Sequence, residues 1–156
     1  MRLKIVCMGK TKEEFIKVGI AKYVRYLKAY ADVEIRVLKE EKIGDLREAP
    51  LIRKKEAQKI IETATSDTLL IALDERGQEF TSHEFASFVN RAIESGVGEM
   101  TFNVGGALGL DARVTGRANT VMAMSRWTLT HEMARLVLLE QLYRAFTIIK
   151  GKTYHY

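Results

Sequence analysis

TFNVGGALGL, Thr101 to Leu110, runs a short apolar stretch into three glycines. Many nucleotide-binding loops of parallel α/β proteins begin this way, at the carboxyl end of a strand. Both familiar phosphate fingerprints are excluded. A dinucleotide loop needs Gly-x-Gly-x-x-Gly, whereas the glycines here are Gly105, Gly106 and Gly109. A Walker A loop needs an earlier glycine where MGKT (Met8–Thr11) has Lys4 and the second GKT (Gly151–Thr153) has Phe146. Adjacent glycines still allow positive φ and let another group approach the backbone closely. Two readings therefore stay open from spacing alone. One is a tight crossover turn packed under a helix. The other is a main-chain grip on a nucleotide-like group that uses no phosphate-specific side chain.

The sequence on either side alternates between strand and helix. Leu3–Met8 reads as a strand. Glu13–Tyr30 reads as an amphipathic helix, with Phe15, Ile16, Ile20, Tyr23, Val24, Leu27 and Tyr30 at helical spacing. Val33–Leu38 alternates like an exposed or edge strand, and Leu51–Ala64 is a second helix. Thr68–Leu73 is a buried strand closed by the turn-like DERG of Asp74–Gly77. Thr81 or Ser82 can cap a helix that runs through Glu94. Met100–Val104 and Asn119–Met124 complete the strands, and His131–Ile149 is a long final helix. Such alternation predicts an α/β fold with a mostly parallel sheet and helices on both faces. GGALGL, DERG and SRWTLT then lie at the carboxyl ends of strands, outside which ligands bind in such sheets. With no repeat, low-complexity tract or linker, residues 1–156 are expected to form a single domain.

Apolar residues make up 47% of the chain but are interrupted by charge everywhere, so no membrane span is expected. The opening MRLKIVCMGKTKEEF lacks the apolar stretch and cleavage site of a signal peptide, and the lone Cys7 reads as a buried thiol. A cytoplasmic protein is expected. The net charge of +5 is compatible with a polyanionic partner without establishing one. Lys12, Lys17, Lys22, Arg25 and Lys28, with Lys150 and Lys152, carry the basic excess, and an ordinary solvated surface ranks ahead of an RNA track. No Cys, His and carboxylate cluster has metal-ligand spacing, and HEMAR (His131–Arg135) ends on arginine where a zinc-protease helix has histidine. No metal is expected.

The carboxyl-terminal third, SRWTLTHEMARLVLLEQLYRAFTIIKGKTYHY, is the most informative segment. Thr130 suits an N-cap, and Glu132 suits the positive end of a helix dipole. His131 and Arg135 are one turn apart on one face. Apolar residues from Met133 to Phe146 cover a wide arc, so the helix is largely buried or forms an interface. Read alone, His131 is more often structural than catalytic, and Met122, Met124 and Met133 are core filler. The tail after Gly151 could be a frayed end.

Taken together, VGGALGL, THEMARLVLLEQLYRAF and a chain ending in YHY resemble the small SPOUT-class methyltransferases that modify N3 of pseudouridine in large-subunit (23S) ribosomal RNA. The resemblance covers the whole chain, including KIVCMGKTKE at the start, KEAQKII at Lys55–Ile61 and LDERGQEFTSHEFA at Leu73–Ala86. It implies a SPOUT-type α/β fold with a carboxyl-terminal trefoil knot, against the general rarity of knots. It also implies S-adenosylmethionine as cofactor and a homodimer with the final helix in the interface. Cofactor contacts carried over by the resemblance are Leu73, Gly105, Gly106, Ser125, Arg126, Trp127, Thr128, Leu129 and Thr130. Catalytic candidates are His131, Arg135, Tyr154 and His155, with the tail reaching the partner's pocket. Two departures stand out: Leu108-Gly109 replaces the family's Asn-Gly, and Thr130 replaces a proline.

On this reading a methyl group passes to an imide nitrogen that must first lose its proton, so an aligned acceptor and a proton relay are needed rather than a metal. The substrate is expected to be large-subunit rRNA in the assembled ribosome, because the chain has no separate RNA-binding module. Two rival readings remain: a non-catalytic ribosome-associated RNA-binding factor that keeps the fold without the chemistry, and a different nucleotide-dependent α/β enzyme, suggested by Gly105 to Gly109 alone.

Overall fold

The computed structural model describes residues 1–65 and 67–152. Five strands, β1 (Arg2–Met8), β2 (Asp32–Leu38), β3 (Thr68–Glu79), β4 (Glu99–Val104) and β5 (Thr120–Ala123), form one sheet in the order β2-β1-β4-β3-β5. Every pairing is parallel. Five helices connect or follow them: α1 (Glu14–Leu27), α2 (Ala49–Ile61), α3 (Ser82–Glu94), α4 (Ala112–Thr115) and α5 (His131–Ile149).

Strand β1 shows how the sheet is sandwiched. Leu3, Ile5 and Cys7 join the core beneath α1, α3 and α5, while Val6 and Met8 join the one beneath α2 and α4. Successive side chains point to opposite faces, so a strand covered on both sides reads as a continuous apolar run. Lys4 is the exception, and its Nζ donates to the Thr63 carbonyl at 2.9 Å, beside the carboxyl end of α2. Strand β2, read as exposed or edge, is an edge strand.

Local signals set the helix ends. Thr81 and Glu84 form a capping box on α3. Thr130 Oγ1 accepts from Met133 N at 3.2 Å, so the cap of α5 survives the loss of a proline. At the other end, Gly151 takes φ +60° and Lys152 N donates to the Thr147 carbonyl, a glycine-terminated Schellman stop. Helix α1 ends at Leu27, three residues before the expected Tyr30.

The DERG turn needs correction. Strand β3 continues through it to Glu79, because Leu73 and Gln78 both align with Met122 of β5 and Asp74–Gly77 bulge out between them. The bulge holds itself together, with Arg76 N and Nε both donating to Asp74 Oδ1. Gly77 is obligatory here, since a Cβ would come within 2.6 Å of the Val121–Met122 backbone. Helix α4 has only four residues, too few to show a period, and Asp111 starts it by accepting from Arg113 N at 3.0 Å.

Candidate active site

The carboxyl ends of β3, β4 and β5 surround a cavity of about 930 Å³, within the range of small-molecule and cofactor sites. The β3 bulge supplies Asp74, Glu75 and Arg76; the loop after β4 supplies Val104–Ala112; the exit of β5 supplies Met124 and Ser125. Trp127–His131 and Ala134 close the far side, and Arg53 reaches in from α2.

The glycine loop folds back on itself. Gly109 N donates to the Gly106 carbonyl at 3.0 Å, closing a turn over Ala107 and Leu108. A Cβ on Gly105 would lie 2.7 Å from the Gly109 carbonyl carbon, so Gly105 is required by the loop's own closure. Gly106 leans the other way, where a Cβ would meet Glu56 Oε2 at 3.0 Å. Gly109 takes φ +77°, whereas no residue other than glycine has positive φ among the described residues. Leu108 in place of asparagine therefore brings no backbone strain. The tight turn weighed from the sequence is present, and its closure presents its backbone to the cavity.

The far wall is fastened to the β3 bulge. Thr128 Oγ1 donates to Glu75 Oε2 at 3.1 Å, and Trp127 N donates to Ser125 Oγ at 2.9 Å. Of the cofactor candidates, Leu73, Gly105, Gly106, Ser125, Trp127, Thr128, Leu129 and Thr130 line the cavity. Arg126 does not; its Nε pairs with Glu79 at 2.9 Å on the exposed side. The Arg76 guanidinium beside Asp74 holds that carboxyl below its usual value, and Arg113 does the same for Asp111, with burial working against both. Among the described residues, the walls combine main chain and short polar side chains with three carboxylates, Asp74, Glu75 and Asp111, against two arginines, Arg53 and Arg76. That balance suits a cationic nucleoside better than a polyphosphate.

His131 lines the cavity half-buried. Burial, and then the charge of Arg135, push its imidazole below the ordinary histidine value, with Glu132 partly opposing. A neutral ring able to accept a proton is the result.

Arg135 lies elsewhere. It is 2% exposed, donates from Nη2 to the Met8 carbonyl and from Nη1 to Thr11 Oγ1 at 3.0 Å, and leaves its buried Nε without a partner. Its guanidinium clamps the β1–α1 connection and is not part of the cavity wall. Glu132 works beside it: Oε2 accepts from Lys12 N at 2.9 Å and from Glu13 N at 3.1 Å, so the first turn of α5 caps α1. The MGKT stretch that failed as a phosphate loop is therefore a structural joint. Tyr154 and His155 lie outside the described residues.

Sequence reasoning named no individual contact among Arg53, the carboxylates of the β3 bulge and the residues from Ala107 to Ala112. GGALGL and DERG, at strand ends, carried a signal for most of them, and Arg53 carried none.

The parallel α/β sheet, its self-closed glycine loop and the cavity at the carboxyl ends of its strands define an α/β protein with a site of small-molecule size. The family model described as "Predicted SPOUT methyltransferase" matches residues 1–155, and the chain belongs to that family. A Geobacter metallireducens protein named "Ribosomal RNA large subunit methyltransferase H" is 42% identical, covering 100% of this chain and 99% of the relative. A Bacillus thuringiensis protein of the same name is also 42% identical, over 99% of both. Among solved structures, a probable methylase family protein from Haemophilus influenzae superposes with TM-score 0.56 at 16% identity, covering 99% of this chain and 70% of that one. A probable methyltransferase from Bordetella pertussis gives 0.55 at 17% identity, covering 92% and 95% respectively. At such identity these two speak for the fold alone.

Proposed function

We propose that this methyltransferase transfers a methyl group from S-adenosylmethionine to N3 of a pseudouridine in large-subunit ribosomal RNA. One observation carries the reading: the cavity joins a main-chain glycine wall to His131 at the mouth of α5. The names of the relatives support the ribosomal substrate, and the likeness of the carboxyl-terminal third to pseudouridine-modifying members supports the atom.

Leu73, the Gly105–Gly106 pair, Ser125 and the run Thr128–Thr130 are the residues to hold the cofactor, with Asp74 and Glu75 offsetting its positive charge; the Trp127 ring, in solvent on the rim, stands outside that grip. When bound, it supplies a sulfonium methyl already activated for transfer. The chain's task is to present N3 in line with that methyl, exclude water and take the imide proton. His131, kept neutral by burial, is the proton acceptor or its relay. Arg135 acts as a positioning residue, because its bonds to Met8 and Thr11 fix the turn from which His131 projects. Tyr154 and His155 complete the site from the tail.

The chain works as one domain, residues 1–156, in a cytoplasmic homodimer. Phe15, Val18 and Tyr26 form an exposed apolar stripe along α1, beside α5, of the kind a second copy covers. A trefoil threading of the carboxyl-terminal segment fits a chain that leaves the sheet at edge strand β5 and returns to pack α5 between α1 and α3.

Mass spectrometry of large-subunit RNA from cells with and without this chain tests the function. One pseudouridine should lose its methyl on deletion and regain it on complementation; identical spectra would overturn the assignment. Ribosomes from the deletion strain should accept labelled methyl far better than naked RNA. Binding to those ribosomes without transfer would mark the ribosome-associated factor instead.

A further inference from the structure

Trp127 is 83% exposed, more than any other large apolar side chain among the described residues, yet it sits on the cavity rim. The segment is tied at two points: the Trp127 backbone N–H donates to Ser125 Oγ, and the Thr128 side chain donates to Glu75. A fixed segment that leaves an indole in water forgoes the burial that usually recruits tryptophan. Tryptophan is enriched at interfaces, where its ring meets a partner while its N–H stays wet, and the cavity edge is such a place. The flanking charge supplies the second observation: the Arg126 side chain is 86% exposed and Arg76 is 76% exposed, both on this rim or its outer side.

We infer that Trp127 is a substrate-positioning residue, the platform on which the target RNA base stacks while its N3 edge enters the cavity. The inference rests on the proposed RNA methyltransferase function. An N3 atom is engaged in pairing within a helix, so the base must be unpaired or extruded to react. Proteins hold such bases on aromatic faces and steady the adjoining phosphates with arginine. Arg126 and Arg76 stand where those phosphates pass, and each can exchange its surface carboxylate partner at little cost.

Steady-state methyl transfer to ribosomes lacking the modification provides the first test. Trp127→Ala should lower kcat/KM for ribosomes by about tenfold or more. Calorimetric affinity for S-adenosylmethionine should stay within about twofold, and Trp127→Phe should recover most of the loss. Trp127 is also the chain's one tryptophan, so its emission reports on the ring directly. In the dimer without ligand the emission should be solvent-accessible and quenched by acrylamide. It should change little with S-adenosylmethionine alone and fall when a short single-stranded RNA carrying pseudouridine is added.

Three results overturn the inference: Trp127→Ala turning over ribosomes like the unaltered protein, emission already shielded in the free dimer, or full quenching by the cofactor alone. If the unaltered protein transfers no methyl at all, the function proposed above fails, and the RNA titration of the emission still decides the stacking.

Discussion

His131 and Arg135 share a stripe of α5 but meet different surroundings, and the difference can be measured. With its proton affinity lowered first by burial and then by Arg135, His131 remains neutral below the ordinary histidine value of about 6.5. The acid limb of kcat/KM for methyl transfer should therefore fall below that value. Replacing Arg135 by methionine removes the second cause and should move the limb upward, whatever the remaining rate. The sign for stability follows from linkage. Below the ordinary histidine value the unfolded chain binds the proton more readily than the folded one, so acidification through that range costs stability, and His131→Asn should flatten the loss. Arg135→Met should also lower unfolding free energy by about 1–3 kcal/mol, because the Met8 carbonyl loses its buried donor. Urea unfolding of the two variants separates these effects.

Among the elements, the glycine loop and the α1–α5 joint make opposite demands on their residues. Gly105→Ala puts a methyl 2.7 Å from backbone, so the turn must open; S-adenosylmethionine binding should be lost in calorimetry while far-ultraviolet dichroism is kept. Gly109→Ala meets nothing within 4 Å and suffers only from its φ of +77°, for a cost of about 1 kcal/mol with binding weakened rather than abolished. Equal losses in the two variants would contradict the self-closure of the loop. Glu132 is tested by acid. Burial raises its carboxyl, but the Glu13 and Lys12 N–H groups and the nearby cations outweigh it and leave the value lowered. Its contribution is thus present above the unfolded-state value of about 4.3 and disappears as pH falls through the lower folded one. Glu132→Ala should cost about 1 kcal/mol at neutral pH, as a lost cap does, and less in acid. Helices α3 and α5 were legible in sequence because Thr81, Glu84, Thr130 and Gly151 are local signals whose partners lie within a turn. The β3 bulge was hidden because it depends on where β5 pairs, and Arg53 because only tertiary approach brings α2 to the cavity. Arg135 was a catalytic candidate by resemblance, and its spacing to His131 said only that the two share a face. In a helix packed between α1 and α3, that spacing does not say which residue faces ligand and which faces core.

For the whole molecule, the decisive question is whether a complete site needs two chains. The exposed stripe of α1 and the assignment of Tyr154 and His155 to a neighbour's cavity make the same demand, which subunit mixing can test. Replacing Val18, on the stripe, by glutamate should shift the protein toward monomer in sedimentation velocity and remove methyl transfer together with the dimer. A second experiment leaves the interface intact. His131→Asn supplies a sound tail but no proton acceptor, and removal of Thr153–Tyr156 supplies the reverse; each variant alone should bind cofactor and transfer no methyl. Unfolded together and refolded as an equal mixture, they re-pair at random across a symmetric interface. If the tail acts on the partner's cavity, each mixed dimer contains one cavity with both its histidine and a sound tail, so about a quarter of the normal site complement returns. If the tail folds over its own cavity, no site in the mixture is complete and activity stays at the level of the separate variants. Recovery that appears only after refolding, and not when the dimers are simply combined, would tie the rescue to subunit exchange.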